Sequence, residues 1–561
     1  MKLRKIYTSA GILLLSLFCI GDAVAKDAKF ETGVSFGSTG ADEPYSSLTD
    51  KDGNYYISGM CRGDVEFAGG ATIKGRGGMD AVIVKYDAEL NFLWARAVGG
   101  SKDDTFERIA VTSAGDIVAV GKISGDVTID GTEQTLSGTQ STDGCIVVYD
   151  KDGNYKSSAQ IKAAGASLCY SVAVDKSDNI FVTGSTVGAT DFGNEKTVTI
   201  EGSNPGTFLA CYNNSLVCQW AIAGSSPVQS YGWAVNFDKE ENILLTGRFG
   251  TTFTITGTDG EALTTAVGSE SSQDTYVAKL SHEGVGQWIT YVTNSNRIDT
   301  RSIDSDSQGN VYIWGHCQSA VTPEGQSPLG FNGNFDSFLI KYSSAGAYLD
   351  GMNLGGSGRD EAKSLFVDAD DNIYVAGNVN GDGSKGGTAV NMNPRGESKD
   401  YTFKGHDGYV AKYNGSTWEL MQLEKTVTPD NANQHEVAWC VTMSPDYNKV
   451  YVTGYFNNGA TVFDGASLTL PFVQDYDIYT VLYSYTLMVK TKTLEPGVAN
   501  EPYYSNIVVD NVEGAVKFEI VSGTLPDGIT LSKDGAFAGT PTKNGPYTFT
   551  VKISDDVSSI P

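Results

Sequence analysis

The chain has 561 residues and a formal charge of −27, from 67 acidic and 40 basic residues, with 66 glycines. A surface this acidic repels phosphate backbones, which argues against nucleic acid as a partner. Its eight cysteines are scattered and make no disulfide framework.

Residues 1–25 have the form of a secretory signal: Lys2, Arg4 and Lys5, an apolar run from Ile12 to Ile20, then Ala23-Val24-Ala25, with cleavage expected after Ala25. This leader carries three basic residues and one acid, so its removal leaves a charge of −29 and seven cysteines. No later stretch reaches the roughly 18 apolar residues of a transmembrane helix. The mature protein is therefore expected to be extracytoplasmic: secreted, periplasmic or at the cell surface. Cys19 offers a lipid-anchored alternative, but Phe18 is bulky where anchor sites carry a small residue.

From residue 26 the chain repeats itself. "NYYISG" ending at Gly59 recurs as segments ending at Gly121, Gly184, Gly247, Gly315, Gly377 and Gly454, at spacings of 62, 63, 63, 68, 62 and 77. A second motif marches in step, from "DAVIVKY" (Asp80 to Tyr86) to "DIYTVLY" (Asp477 to Tyr483). Both alternate apolar and polar residues and read as strands. With one strand before each "D..GN" turn and another after the second motif, each repeat is a four-stranded antiparallel unit. Radial repetition hides the faces of such units, which predicts a seven-bladed β-propeller over residues 26–485. The seventh repeat lacks its outer strand, and the segment around Gly33 to Gly37 is expected to supply it and close the ring. Residues 486–561 read as a small Ig-like β-sandwich, with Tyr547, Phe549, Val551 and Ile553 alternating as in a half-buried strand.

The "D..GN.Y.TG" and "DaFvaKy" elements resemble those of bacterial seven-bladed propeller proteins with SBBP repeats. "SGTLPDGITLS" (Ser522 to Ser532), "GTPT" (Gly539 to Thr542) and "GPYTFTVKISD" resemble the Ig-like modules of bacterial surface proteins. Neither resemblance implies a catalytic motif or a cofactor.

Several motifs are better explained by the fold than by chemistry. Arg62-Gly63-Asp64 matches an adhesion tripeptide, but Ser124-Gly125-Asp126 sits at the equivalent turn of blade 2. "GDGSKGG" (Gly381 to Gly387) opens no helix, so it is not a phosphate-cradling loop. "TDFGN" (Thr190 to Asn194) has no kinase catalytic loop to accompany it. The "DKDGN" turns at Asp50 and Asp150 lack the ligands of a hand-type calcium loop. His282, His316, His406 and His435 show no metal-ligand spacing. Trp94, Trp220 and Trp288 share one repeat position and are expected to fill the interface between blades. Cys211 and Cys218 could form one local bridge, with buried thiols the favoured reading. At the start of the inner strands stand Asp42, Asp104 and Asp360, with Ser167 and Ser230 in blades 3 and 4, blade 5 ambiguous and Ala438 in blade 7; the position reads as a turn cap.

The expected binding face comes from loop length. The connection between the second and third strands spans 21 to 22 positions in blades 1 to 3 but 27 in blade 4 and 30 in blade 6. Loops beyond about 15 residues without structure of their own are usually functional or disordered. The blade 6 loop carries Arg395, Asp400, Tyr401, Phe403 and His406, and blade 5 adds Phe331, Asn332, Asn334 and Phe335. Aromatic faces beside amides and charges suit a carbohydrate or protein ligand at the cell surface. The leading expectation is a non-catalytic binding or adhesion protein. The alternatives are a polysaccharide-acting enzyme with an acid/base carboxylate pair in the propeller channel, and a structural surface-layer component.

Overall fold

The computed structural model describes residues 2–5, 13–18, 28–266, 273–380, 388–397, 400–403, 405–427, 435–457 and, with short interruptions, 461–560. They are organised as β-strands, and no helix is long and apolar enough to cross a membrane. The chain divides into two compact units, residues 32–482 and residues 1–31 with 483–561.

In the larger unit the described strands pair into seven four-stranded antiparallel meanders. The first comprises Glu43–Thr49, Tyr55–Cys61, Asp80–Tyr86 and Phe92–Gly100. Its two middle strands are buried along their whole length, as near-continuous apolar runs require when both faces are covered. Inner strands of successive meanders lie side by side. The last of them, Glu436–Met443, returns to the first, where Thr49 Oγ1 donates to the Met443 carbonyl at 2.5 Å. The outer strand of the last meander is Ala28–Phe36, paired with Asp477–Tyr485, so the ring closes through N-terminal residues as expected. Phe36, 5% exposed, packs in one cluster with Tyr451, Ile478 and Leu482.

Tight turns carry the sequence signatures. Asp50 accepts hydrogen bonds from the Asp52 and Asn54 N–H groups, both at 2.9 Å, and from Asn54 Nδ2 at 2.8 Å; Asp150, Asp175, Asp238, Asp306 and Asp368 repeat the pattern. The carboxylate closes its own turn. All seven described cysteines, Cys211 and Cys218 among them, are buried thiols.

The smaller unit has an apolar core of Leu494, Tyr503, Ile507, Ile529, Phe537, Phe549, Val551 and Ile553, with Tyr547 half-buried against it. Lys517–Gly523 pairs with Phe549–Ser554, and Tyr503–Asn506 pairs with Ala536–Gly539. Lys2–Lys5 and Leu13–Phe18, read from sequence as part of a leader, lie as strands in the sheet of Phe549–Ser554 and Thr493–Gly497. Cys19 and Ala23-Val24-Ala25 lie outside the described residues.

Candidate functional site

The structure separates the residues expected at the binding face into two groups. Asn332 and Asp400 line a single cleft of about 460 Å3 between blades 5 and 6, together with Asn353, Gly355, Asn391 and Pro394. Asp400 stands on a short hairpin, Thr388–Asn391 with Asp400–Phe403, built from the long blade 6 loop. Asn332 Nδ2 donates to the Gly355 carbonyl at 3.2 Å, whereas the Asn353 amide is buried with its carbonyl unpaired and only the Asp336 carboxyl beside its N–H2.

The remaining expected residues hold the loops in place. Phe403 is fully buried and Phe335 is 6% exposed, with the Arg359 guanidinium 4.6 Å over the Phe335 ring. Phe331 packs on the blade 5 cluster and Tyr401 on the blade 6 cluster. The Asn334 N–H donates to the Gly358 carbonyl at 3.0 Å. Arg395 bonds the Asp350 carboxylate and, at 2.6 Å, the Gly351 carbonyl, pinning the blade 6 loop to blade 5. His406 stacks on His435 with ring centroids 4.0 Å apart, and burial with the neighbouring His435 lowers its pKa to about 4. Sequence spacing gave no sign of that pair. The Gly381–Gly387 segment lies outside the described residues.

The cap positions behave as their shared chemistry predicts. Asp104 accepts from the Gly100 and Ser124 N–H groups at 3.0 and 2.7 Å, and Asp360 from those of Gly356 and Asn380 at 2.5 and 3.0 Å. Ser167 and Ser230 each accept one such bond, from Gly144 and Thr207, both at 2.9 Å. Burial raises the pKa of Asp104 and of Asp360 to about 7. One assignment needs correction: blade 7 places Glu436, not Ala438, here. Its turn opens at Ser444, whose N–H donates to the Lys449 carbonyl, and so holds one residue more than the others. The Arg62-Gly63-Asp64 turn is exposed, and Asp64 accepts from Lys74 Nζ at 2.6 Å and from the Gly75 N–H at 3.0 Å.

A second feature lies on the propeller axis. Every inner strand has a β-bulge at the same place, and the bulged residues are Tyr45, Glu107, Tyr170, Trp233, Arg301, Lys363 and Trp439. A bulge re-aims a side chain out of the pleat, and all seven line one narrow throat of about 60 Å3. Rings and cations interleave there: Tyr170 lies 4.4 Å from Trp233, Lys363 Nζ 4.1 Å above Trp439, and Arg301 5.2 Å above Trp233. Asp299 is ion-paired to Arg248 at 3.2 Å and Arg297 at 2.6 Å, and Glu361 to Lys363 at 2.8 Å. Against the cost of burial, His316 with Arg301 and Arg248 holds the Asp299 carboxyl, and Lys363 with His316 and Arg359 the Glu361 carboxyl, well below the usual range. Burial instead pushes the Glu107 carboxyl up. Below the throat the channel widens to about 310 Å3, lined in part by Asn236, Phe237 and Asp304, and burial raises Asp304 to about 6.

Two families match segments of the chain: "Beta-propeller repeat" (SBBP) over residues 158–193 and "Putative Ig domain" (He_PIG) over residues 480–559. The chain thus carries an SBBP β-propeller repeat and, towards its C-terminus, an Ig-like segment. A curated relative, an uncharacterized WD repeat-containing protein of Acanthamoeba polyphaga mimivirus, is 21% identical over 435 residues; the match covers 63% of this chain and 31% of that protein's length. Among solved structures, the periplasmic gluconolactonase PpgL of Pseudomonas aeruginosa aligns with a TM-score of 0.37 at 11% identity, over 75% of this chain and 98% of its own. The Dos1 propeller aligns with a TM-score of 0.34 at 9% identity, over 82% and 95%.

The axial ring escaped the sequence reading although its signal was present. Each bulged residue stands five positions before the residue that opens the following turn, from Tyr45 before Asp50 to Trp439 before Ser444. Aligned on those turns, the column holds only aromatic or charged residues.

Proposed function

We propose that this propeller is an extracytoplasmic, non-catalytic binding protein that takes a carbohydrate or other polar ligand in the cleft between blades 5 and 6. The observation that carries the reading is the Asn353 amide, which lines that cleft with its carbonyl oxygen buried and unpaired by protein, its N–H2 having only the Asp336 carboxyl beside it. Buried polar groups are normally satisfied, and a sugar hydroxyl offers a donor and an acceptor at once. Asn332, Asn391 and Asp400 widen the same hydrogen-bonding wall, and the volume falls in the range of small-molecule sites. The N-terminal signal pattern supports export of the mature chain.

The enzymatic alternative draws on Glu107, a throat carboxyl raised by burial as a general acid requires. Its weakness is space. The throat of about 60 Å3 holds a few waters but not a pyranose ring. Screening the full chain on a glycan array, while assaying release of reducing sugar, tests the choice. Saturable binding without turnover supports the binding protein; turnover abolished by Glu107→Gln would replace it with the enzyme.

A further inference from the structure

Half of the chain's ten arginines, Arg108, Arg248, Arg297, Arg301 and Arg359, stand on or beside the inner strands of blades 2, 4, 5 and 6 around the channel. In a protein of charge −27 this clustering is a departure from its surroundings. Four of these cations have an acid in ion-pair contact: Arg248, Arg297 and, at the longest distance of 4.0 Å, Arg301 with Asp299, and Arg359 with Glu361.

Arg108 differs. Among the described residues no carboxylate lies within ion-pair distance of it, and its one protein hydrogen bond is a long one, 3.4 Å to the Arg301 carbonyl. Its Nε–H is buried and unpartnered, as are the Nε–H of Arg301 and the indole N–H of Trp233. All three residues line the same throat. A guanidinium and an indole N–H can only donate, so these residues turn convergent unpartnered donors and cationic charge into a throat whose one lining carboxylate is Glu107, which acts on Arg108 without an ion-pair contact. A buried cation with no ion-pair partner is expensive unless a counter-charge meets it.

We propose that the throat is a binding site for a small oxyanion, a carboxylate, sulfate or phosphate group held by Arg108 and Arg301 with Trp233 as a third donor. The planar guanidinium fork matches such groups with two parallel hydrogen bonds. The aromatic walls of Tyr170 and Trp439 exclude bulk water and strengthen the charge interaction. A volume of about 60 Å3 admits one small anion or the terminal acidic group of a larger ligand. This site is separate from the cleft of the proposed function, and either can fail alone.

The test titrates the full chain with sodium sulfate, phosphate and acetate against sodium chloride at matched ionic strength, read by tryptophan fluorescence and melting temperature. Trp233 and Trp439 serve as internal reporters because they form the wall. We expect a saturable one-site response. It should weaken at least tenfold in Arg108→Gln and in Arg301→Gln, and severalfold in Trp233→Phe, which keeps the ring but removes the donor. Arg62→Gln, in an exposed turn, and Asn353→Ala, in the cleft, should leave it unchanged. A glucuronate arm identifies the source: tighter binding than acetate marks the acidic group of a larger ligand, and equal binding marks a free anion. A non-saturable response equal to that of chloride overturns the proposal. So does undiminished affinity in folded Arg301→Gln and Trp233→Phe, which guards against an Arg108 variant that does not fold.

Discussion

Gly37 lies against the Asp477 carboxylate so closely that no side chain could stand between them, as Gly99 lies against Asp80 and Gly355 against Asp336. In blades 1 and 5 the glycine stands at the end of the outer strand, one residue inside it at Gly99 and just beyond it at Gly355, and the aspartate opens the third strand of the same meander. Gly37 plays that part in the last meander although it comes from the other end of the propeller sequence. The N-terminal residues are thus a structural member of the last blade and not an extension lying beside it.

Closure is therefore expected to fail without them. Deleting residues 26–37 removes the outer strand and buried Phe36, leaving Asp477–Tyr485 as an unpaired edge that invites association. The truncated protein should melt several degrees lower and show concentration-dependent association by light scattering. A monomer melting at the wild-type temperature would refute the closure.

The blades are locked to one another by tryptophan on glycine. Trp94 Nε1 donates to the Lys151 carbonyl at 3.2 Å, and a Cβ at Gly153 would stand 2.8 Å from the indole. Trp288 repeats this on Ser344, at 3.1 Å, and Gly346. Gly153 also has φ of +80°, so Gly153→Ala adds backbone strain to a steric clash and should cost about 2 kcal/mol. Trp94→Ala should cost about 3–5 kcal/mol. Denaturant unfolding measures both.

The buried cap acids make stability depend on pH. Asp104 titrates near 7 in the fold against 3.8 as its ordinary value, so the folded state retains a proton that the unfolded chain has lost. Its contribution is greatest below about pH 4 and falls as pH rises through 7. Asp104→Ser reproduces the residue found at the same place in blades 3 and 4 and deletes the titration. Relative to wild type, the variant should gain melting temperature by about 2 °C or more between pH 5 and pH 8. A constant difference across that range would show that the carboxylate is not perturbed.

The Arg62-Gly63-Asp64 turn should be irrelevant to adhesion. Asp64 serves the turn through Lys74 and Gly75. Asp64→Glu keeps the charge but removes the geometry that adhesion receptors require, so any host-cell attachment should survive it, as measured by cell-binding assay. Loss of attachment with an unchanged melting curve would reinstate the tripeptide as functional.

The repeat period made the propeller legible because each blade must bury the same faces, and so repeats "DAVIVKY"-like apolar runs and "D..GN" turns. The closing strand was legible from what the seventh repeat lacked. Site chemistry was harder to read. Loop length pointed to the region of the cleft, but an aromatic letter in a loop does not say which way the ring faces: Phe335 and Phe403 are buried while Asp400 is exposed. Asn353 lies on a regular outer strand and carried no signal of its own. The axial residues were hidden because a bulge, which strand alternation does not announce, turns them inward.

The most direct test of the binding account is isothermal titration of the strongest glycan-array ligand against wild type and the Asn353→Ala and Asp400→Ala variants. Asp400 is exposed and the Asn353 amide meets only the Asp336 carboxyl, so Asp400→Ala should leave the melting temperature unchanged and Asn353→Ala should lower it only slightly. The account predicts saturable wild-type binding that weakens at least tenfold in each variant. Equal affinity in all three proteins would contradict it.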